Sequence, residues 1–371
     1  MKRLKFIRIG TTTTEATTTT TTSTTGSSSG FSCSGTTCTL TIQPGLSFEG
    51  VDVDGVVQFR GIPYAQSPAG NNRWKPPQGI FDYSGVISAL EYGSQCPSEA
   101  QNGDEDCLNA NINVAKSVLE SGQKVPVVIY IHGGGFKAGN NQKEFQRLVL
   151  EQGVMVISIN YRLGFYGYLY ASQAEAGETF SGNWALLDQQ LGMQWAKTFS
   201  PYFGGNSSSI ALTCCSAGCA QTFAHLTIPS SWDYFDRAVT SGASPGETMT
   251  KEHGDQMWDK MQEFSGCSDF ACLRNLDHNT VRGYAQQVLN NVIDPVTPTA
   301  MKYAPLVDGQ LITLSVLDAF SANQAWSTFI SYYSHIYNVF FCFSIFIFIF
   351  SKNDSQLTPK RSSKICHLAL T

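Results

Sequence analysis

The stretch Thr213-Cys214-Cys215-Ser216-Ala217-Gly218-Cys219-Ala220 decides how this chain is read, because it follows the apolar run S-I-A-L at 209–212 and precedes a helix-like segment. A serine at the tip of a sharp strand-to-helix turn is held in a strained conformation and presented for nucleophilic attack. The residues around it must be small, or strand and helix collide. Ala217 and Gly218 meet that demand, whereas Cys214 stands where the G-x-S-x-G form of the turn has glycine. An isolated S-A-G is more often structural than nucleophilic, so its meaning rests on what surrounds it.

Upstream, V-P-V-V-I-Y-I-H at 125–132 is continuously apolar and β-branched, as a strand covered on both faces should be. Similar runs lie at 154–161 and 209–213, and between them residues 183–196 carry apolar side chains at helical spacing. Strands alternating with helices predict an α/β architecture with a mainly parallel sheet and helices on both faces. Before these, residues 39–60 alternate apolar and polar with a D-G break, the pattern of antiparallel hairpins. The Pro- and Gly-rich stretches at 60–70 and 73–77 read as an extended surface loop.

The strongest strand ends in His132-Gly133-Gly134-Gly135-Phe136. Glycines there let the backbone approach a ligand, and their N–H groups can stabilise an oxyanion. A glycine turn after an early strand and a serine turn after a later one are the two halves of one hydrolytic site.

Further stretches make the pattern specific: F-R-G-I-P-Y-A-Q-S-P at 59–68, E-D-C-L-N-A-N-I at 105–112, N-Y-R-L-G-F-Y-G-Y-L at 160–169 and G-N-W-A-L-L-D-Q-Q-L at 182–191. Y-F-G-G-N-S-S-S-I-A-L leads into the serine turn, and P-L-V-D-G follows at 305–309. In this order the series resembles the type-B carboxylesterases, the α/β hydrolases that include cholinesterases and fungal lipases, from about residue 51 to 323. The resemblance implies the α/β-hydrolase fold, with an N-terminal antiparallel hairpin region before the sheet and the C-terminal part of the fold missing. It implies Ser216 as nucleophile, the N–H groups of Gly134, Gly135 and Ala217 as the oxyanion hole, and disulfide loops Cys96 to Cys107 and Cys267 to Cys272. The expected chemistry is hydrolysis of a small-molecule or lipid ester through an acyl-enzyme. No cofactor and no metal is implied.

The departures also count. Cys214 and Cys215 replace the usual glycine and acidic residue before the serine, and Asn109 and Ala110 stand where the family prefers bulkier apolar residues, which predicts relaxed packing. The triad acid and histidine remain unassigned, because the family places both beyond the V-D-G segment and no later stretch resembles them. Of the six histidines, His132 belongs to the glycine loop; His225, His253 and His278 read as ordinary satisfied histidines; His335 and His367 fall in the tail. These gaps keep a second reading open, an esterase-like binding or adhesion module without catalysis.

Composition frames the chain. Residues 1–38 are mostly a Thr/Ser-rich leader that cannot bury enough apolar surface to fold, residues 39–323 carry the esterase-like pattern, and 324–371 form an anomalous tail, apolar over 326–350 and then basic. That tail reads first as intron or frameshift read-through, then as a membrane anchor over 329–350, then as a native soluble tail. A net charge of −5 and a pI near 5.7 leave no basic footprint for nucleic acid. Eleven cysteines, some at short-loop spacing, point to a secreted or extracellular-facing protein. The basic start M-K-R-L-K-F-I-R-I-G has no apolar core to complete a signal peptide.

Overall fold

The computed structural model describes residues 30–172, 182–242, 245, 248–292 and 303–325, and the backbone of 329–332. Within them an 11-stranded mixed sheet organises the chain. It opens with a meander of β1 (Phe31–Ser34), β2 (Thr37–Gln43), β3 (Leu46–Val53) and β4 (Val56–Pro63), each antiparallel to the next. The β3–β4 turn is Asp54-Gly55, both at positive φ (51° and 84°), the backbone twist a two-residue hairpin needs. A short β5 (Gly85–Ser88) runs parallel to β3.

The rest of the sheet is β6 (Asn109–Ala115), β7 (Val125–Ile131), β8 (Met155–Ile159), β9 (Gly205–Cys214), β10 (Arg237–Ser241) and β11 (Phe329–Tyr332). Beyond β4 the spatial order is β6, β8, β7, β9, β10, β11. From β8 onward every pairing is parallel. The chain leaves β7 for β8 on one side and then returns to place β9 on the other. The C-terminal ends of β7 and β9 therefore flank the point where strand order reverses, the place where open α/β sheets bind ligands.

The helices are α1 (Lys116–Ser121), α2 (Gln146–Gln152), α3 (Gly164–Tyr168), α4 (Trp184–Phe199), α5 (Ala217–His225), α6 (Lys251–Ser265), α7 (Phe270–Arg274), α8 (His278–Asn291) and α9 (Val316–Ser321). The helical spacing read at 183–196 is α4, which packs on β7, β8 and β9 with Trp184 and Trp195 fully buried. Asn183 starts it at φ 53° and clasps the P-L-V-D-G segment. Its Nδ2 donates to Leu306 O (2.8 Å) and Asp308 Oδ2 (3.1 Å), and its Oδ1 accepts from Leu306 N (2.8 Å).

Three expectations change. Residues 60–77 are not a surface loop: Arg60 to Pro63 belong to β4, and Ile62, Tyr64 and Trp74 have no exposed surface. Tyr64 Oη donates to Asn160 O (2.6 Å), and the Trp74 ring meets Phe165 edge-on, so buried aromatic anchors hold the stretch while Pro63 and Pro76 stay exposed. The end of the leader contains a strand, where β1 and β2 pair Cys33 with Cys38 directly across the hairpin and a disulfide joins them. Asn109 and Ala110 do not loosen the core. All seven residues of β6 are buried, and Asn109, Asn111, Asn141 and Asn160 hydrogen-bond one another and nearby backbone.

Residues 329–332, at the head of the apolar tail, run parallel to β10 as the sheet's outer strand. The remainder of the proposed anchor, with His335 and His367, lies outside the described residues, as does the leader before residue 30. Among the described residues no helix is long and apolar enough to cross a membrane.

Candidate active site

Parallel β7 and β9 are in register with Ile131 opposite Cys214, so the strands finish level and their next residues emerge side by side. From β7 come His132 to Phe136; from β9 come Cys215 and Ser216. Cys215 N–H donates to Ile131 O (3.4 Å), carrying the pairing one residue past the strand.

Ser216 sits at φ 48°, ψ −126°, exposed, at the N-cap of α5. A serine in that region costs about 1–3 kcal/mol, which the neighbouring strand and helix must impose. The crossing is tight enough to specify its neighbours. A Cβ on Gly218 would lie 2.3 Å from Ile131 O, and one on Gly133 would lie 2.4 Å from Cys215 O and 3.0 Å from Ser216 Cβ. The glycine loop and the serine turn are thus in van der Waals contact. Gly134 (φ 127°) and Gly135 (φ 60°) follow in conformations that side chains resist, and Gly134 O accepts from Lys137 N (3.2 Å) and Ala138 N (3.0 Å) to close the loop. Ala217 opens α5, directing its N–H from a helix N-terminus.

The loop is braced from two sides. Cys96 and Cys107 are disulfide-bonded, and within their loop Gln101 grips Gly139, accepting its N–H (2.8 Å) and donating to its carbonyl (3.0 Å). Ser98 Oγ donates to Lys137 O (2.5 Å). On the other side Asn141 is locked by Asn109 (3.0 Å), Asn111 (3.0 Å) and Asn160 (2.8 Å). The N-A-N-I-N departure from the family pattern therefore anchors the segment that follows the glycines.

Cys214 is not a free thiol in glycine's place. It forms a disulfide with Cys219, tying the last residue of β9 to the first turn of α5 around Ser216. Cys215 stays free and exposed between them. A signal for this existed in the sequence: the pairs 33–38, 214–219 and 267–272 all have a separation of 5.

Three of the four described histidines hold hydrogen bonds to groups other than Ser216. His132 Nδ1 lies 2.9 Å from Gly133 O, its ring stacks on Tyr161 at 4.3 Å, and burial pushes its pKa down to about 4. It is neutral at neutral pH and keeps its proton on Nδ1, facing that carbonyl. His225 bonds Ser231 Oγ and Gln189 Oε1, both at 2.9 Å, and burial lowers its pKa to about 3. His278 bonds Tyr166 Oη (2.9 Å) and faces Glu105 (3.5 Å), and His253 is buried in α6. Gly133, which Gly134 and Gly135 follow in the chain, packs against Ser216, which Ala217 follows; a histidine and an acid to complete them are not found among the described residues.

The sequence matches the Carboxylesterase family profile over residues 45–358. It is 30% identical over 290 residues to a mouse cholinesterase, covering 70% of this chain and 46% of that protein. It is 34% identical over 227 residues to a para-nitrobenzyl esterase of Bacillus subtilis, covering 57% and 45%. In structure it superposes on a carboxylesterase of Geobacillus stearothermophilus with a TM-score of 0.69 at 26% identity, covering 78% of this chain and 59% of the other. A thermophilic para-nitrobenzyl esterase shares the fold at a TM-score of 0.71. The chain spans about half the length of the curated relatives it matches. With a family match over most of its residues, on a sheet whose switch point carries the serine turn and the glycine loop, the chain belongs to the carboxylesterase family.

Proposed function

We propose that the protein is a serine carboxylic-ester hydrolase acting through an acyl-enzyme on small-molecule or lipid esters, in an extracellular or lumenal setting. The observation that carries this reading is Ser216 exposed at φ 48°, ψ −126°, with Gly133 packed against it. Ser216 Oγ attacks the ester carbonyl as its proton passes to a base. The tetrahedral oxyanion is met by the N–H groups of Gly134, Gly135 and Ala217, and its collapse expels the alcohol, which takes up the proton. Water, deprotonated by the same base, then attacks the acyl carbonyl, and the bond to Ser216 Oγ breaks, releasing the acid as the proton returns from the base to Ser216. Losing one oxyanion donor typically costs ~10²- to 10³-fold in kcat.

The test is labelling by a fluorophosphonate, which needs a base-activated serine. Wild-type chain should label at Ser216, and Ser216→Ala should abolish labelling without changing the thermal unfolding midpoint. A specific observation favours the second reading, a binding module: His132, His225 and His278 hold hydrogen bonds to Gly133, to Ser231 and Gln189, and to Tyr166. If the 371-residue chain does not label but a version extended to the length of its relatives does, the hydrolase reading stands and the base lies beyond this sequence. If neither labels, the binding module replaces it.

A further inference from the structure

Asn206-Ser207-Ser208 is a sequon that the hydrolytic reading leaves unused. Its place in the fold is unusual. Asn206 lies near the start of β9, opposite Pro126 of β7, and the register then jumps: Val127 pairs not with residue 207 but with Ile210. Pro126 has no N–H to donate, so the ladder is weak at this point and residues 207–209 bulge from the sheet. Asn206 and Ser208 are exposed, and Asn206 Oδ1 accepts the Ser208 N–H at 3.0 Å. That bond engages the side-chain carbonyl of this exposed residue, leaving Nδ2 as the group a transferase would act on. Asn206 and Cys214 lie opposite Pro126 and Ile131 of β7, about 17 Å apart at the usual rise per strand residue, and Ser216 lies beyond Cys214, so a bulky group on Asn206 would not obstruct Ser216.

A separate observation concerns the compartment. Four disulfides close among the described residues, as expected of a chain that folds in an oxidising lumen where N-glycosylation occurs. We propose that Asn206 is an N-glycosylation site whose glycan projects from the rim of the sheet opposite the serine turn. In the transfer, Asn206 Nδ2 bonds to the anomeric carbon of an oligosaccharide carried on a lipid pyrophosphate. The carbon–oxygen bond to the pyrophosphate breaks, the pyrophosphate leaves with the electron pair, and one amide proton passes to the transferase.

The experiment uses the full chain behind a cleavable secretory signal in yeast, recovered from the endoplasmic-reticulum lumen as well as the medium. Digestion with peptide N-glycosidase in 18O water marks each formerly glycosylated asparagine as 18O-labelled aspartate, read by mass spectrometry. The peptide containing position 206 is distinct from those holding the Thr/Ser leader and the second sequon, Asn353-Asp354-Ser355. The expected result is label at position 206, lost in Ser208→Ala and kept in Ser208→Thr, with the glycan released from the native protein before denaturation. Unmodified Asn206 in chains that have formed the Cys96–Cys107 disulfide would overturn the proposal, since those chains have passed the transferase. Release only after denaturation would overturn the exposed-bulge placement.

Discussion

Ser216 shows how much one residue's environment demands of its neighbours. Its backbone strain is sustained because Gly218 lets the end of β7 pass at a distance no side chain allows, and Gly133 does the same from the opposite loop. The demand for small residues after a nucleophile is local, so Ala217 and Gly218 were legible from sequence. The contact of Gly133 with Cys215 was not, because it depends on Ile131 lying opposite Cys214. The buried histidines lead to a residue-scale prediction. His225 titrates near 3 when folded and about 6.5 when unfolded, so its neutral burial stabilises fully above pH 6.5 and is lost as pH falls toward 3. Over that window the unfolded state binds more protons, and each pH unit removes about 1.4 kcal/mol. Denaturant melts of wild type and His225→Gln from pH 7.5 to 4.5 should converge as pH falls; parallel pH dependences would remove His225 as the cause.

At the scale of elements, the elbow is a strand and a helix joined by a cross-link as well as by the chain. A disulfide closing so short a loop contributes roughly 2 kcal/mol through the unfolded ensemble. Replacing both Cys214 and Cys219 by alanine should lower unfolding free energy by about that amount and leave the Cys96–Cys107 and Cys267–Cys272 bridges intact on peptide mapping. An unchanged denaturation midpoint would mean the cross-link is incidental to the elbow. Periodicity located β7, β8, β9 and α4 to within a few residues, because burial on both faces or on one stripe is written in the local pattern. It said nothing of β6. Asn109 in this buried strand read as a weakness, and only the partners at residues 94 and 141 satisfy its side chain.

On the scale of the molecule, Arg73 joins segments 200 residues apart. Its guanidinium forms a two-pronged ion pair with Glu105 (2.5 and 2.6 Å) and also donates to Leu273 O (3.3 Å) and Leu276 O (3.0 Å), while Arg274 Nε donates to Arg73 O (2.8 Å). Both partners of the ion pair are nearly buried, so removing one charge strands the other, typically at a cost of about 3–5 kcal/mol. Glu105→Ala should therefore destabilise the fold on that scale and raise hydrogen exchange in α7 and α8 more than in β7 and β9. Equal protection in both regions would mean that the pair does not couple them. By itself the sequence determined the alternation of strands and helices, the serine turn and the glycine loop, because each rests on burial periodicity or backbone freedom within a few residues. Tertiary structure alone decided that Gly133 touches Ser216 and that Asn109 is satisfied. Those contacts depend on strand register and on loop closure between distant segments, which leave no period in the chain.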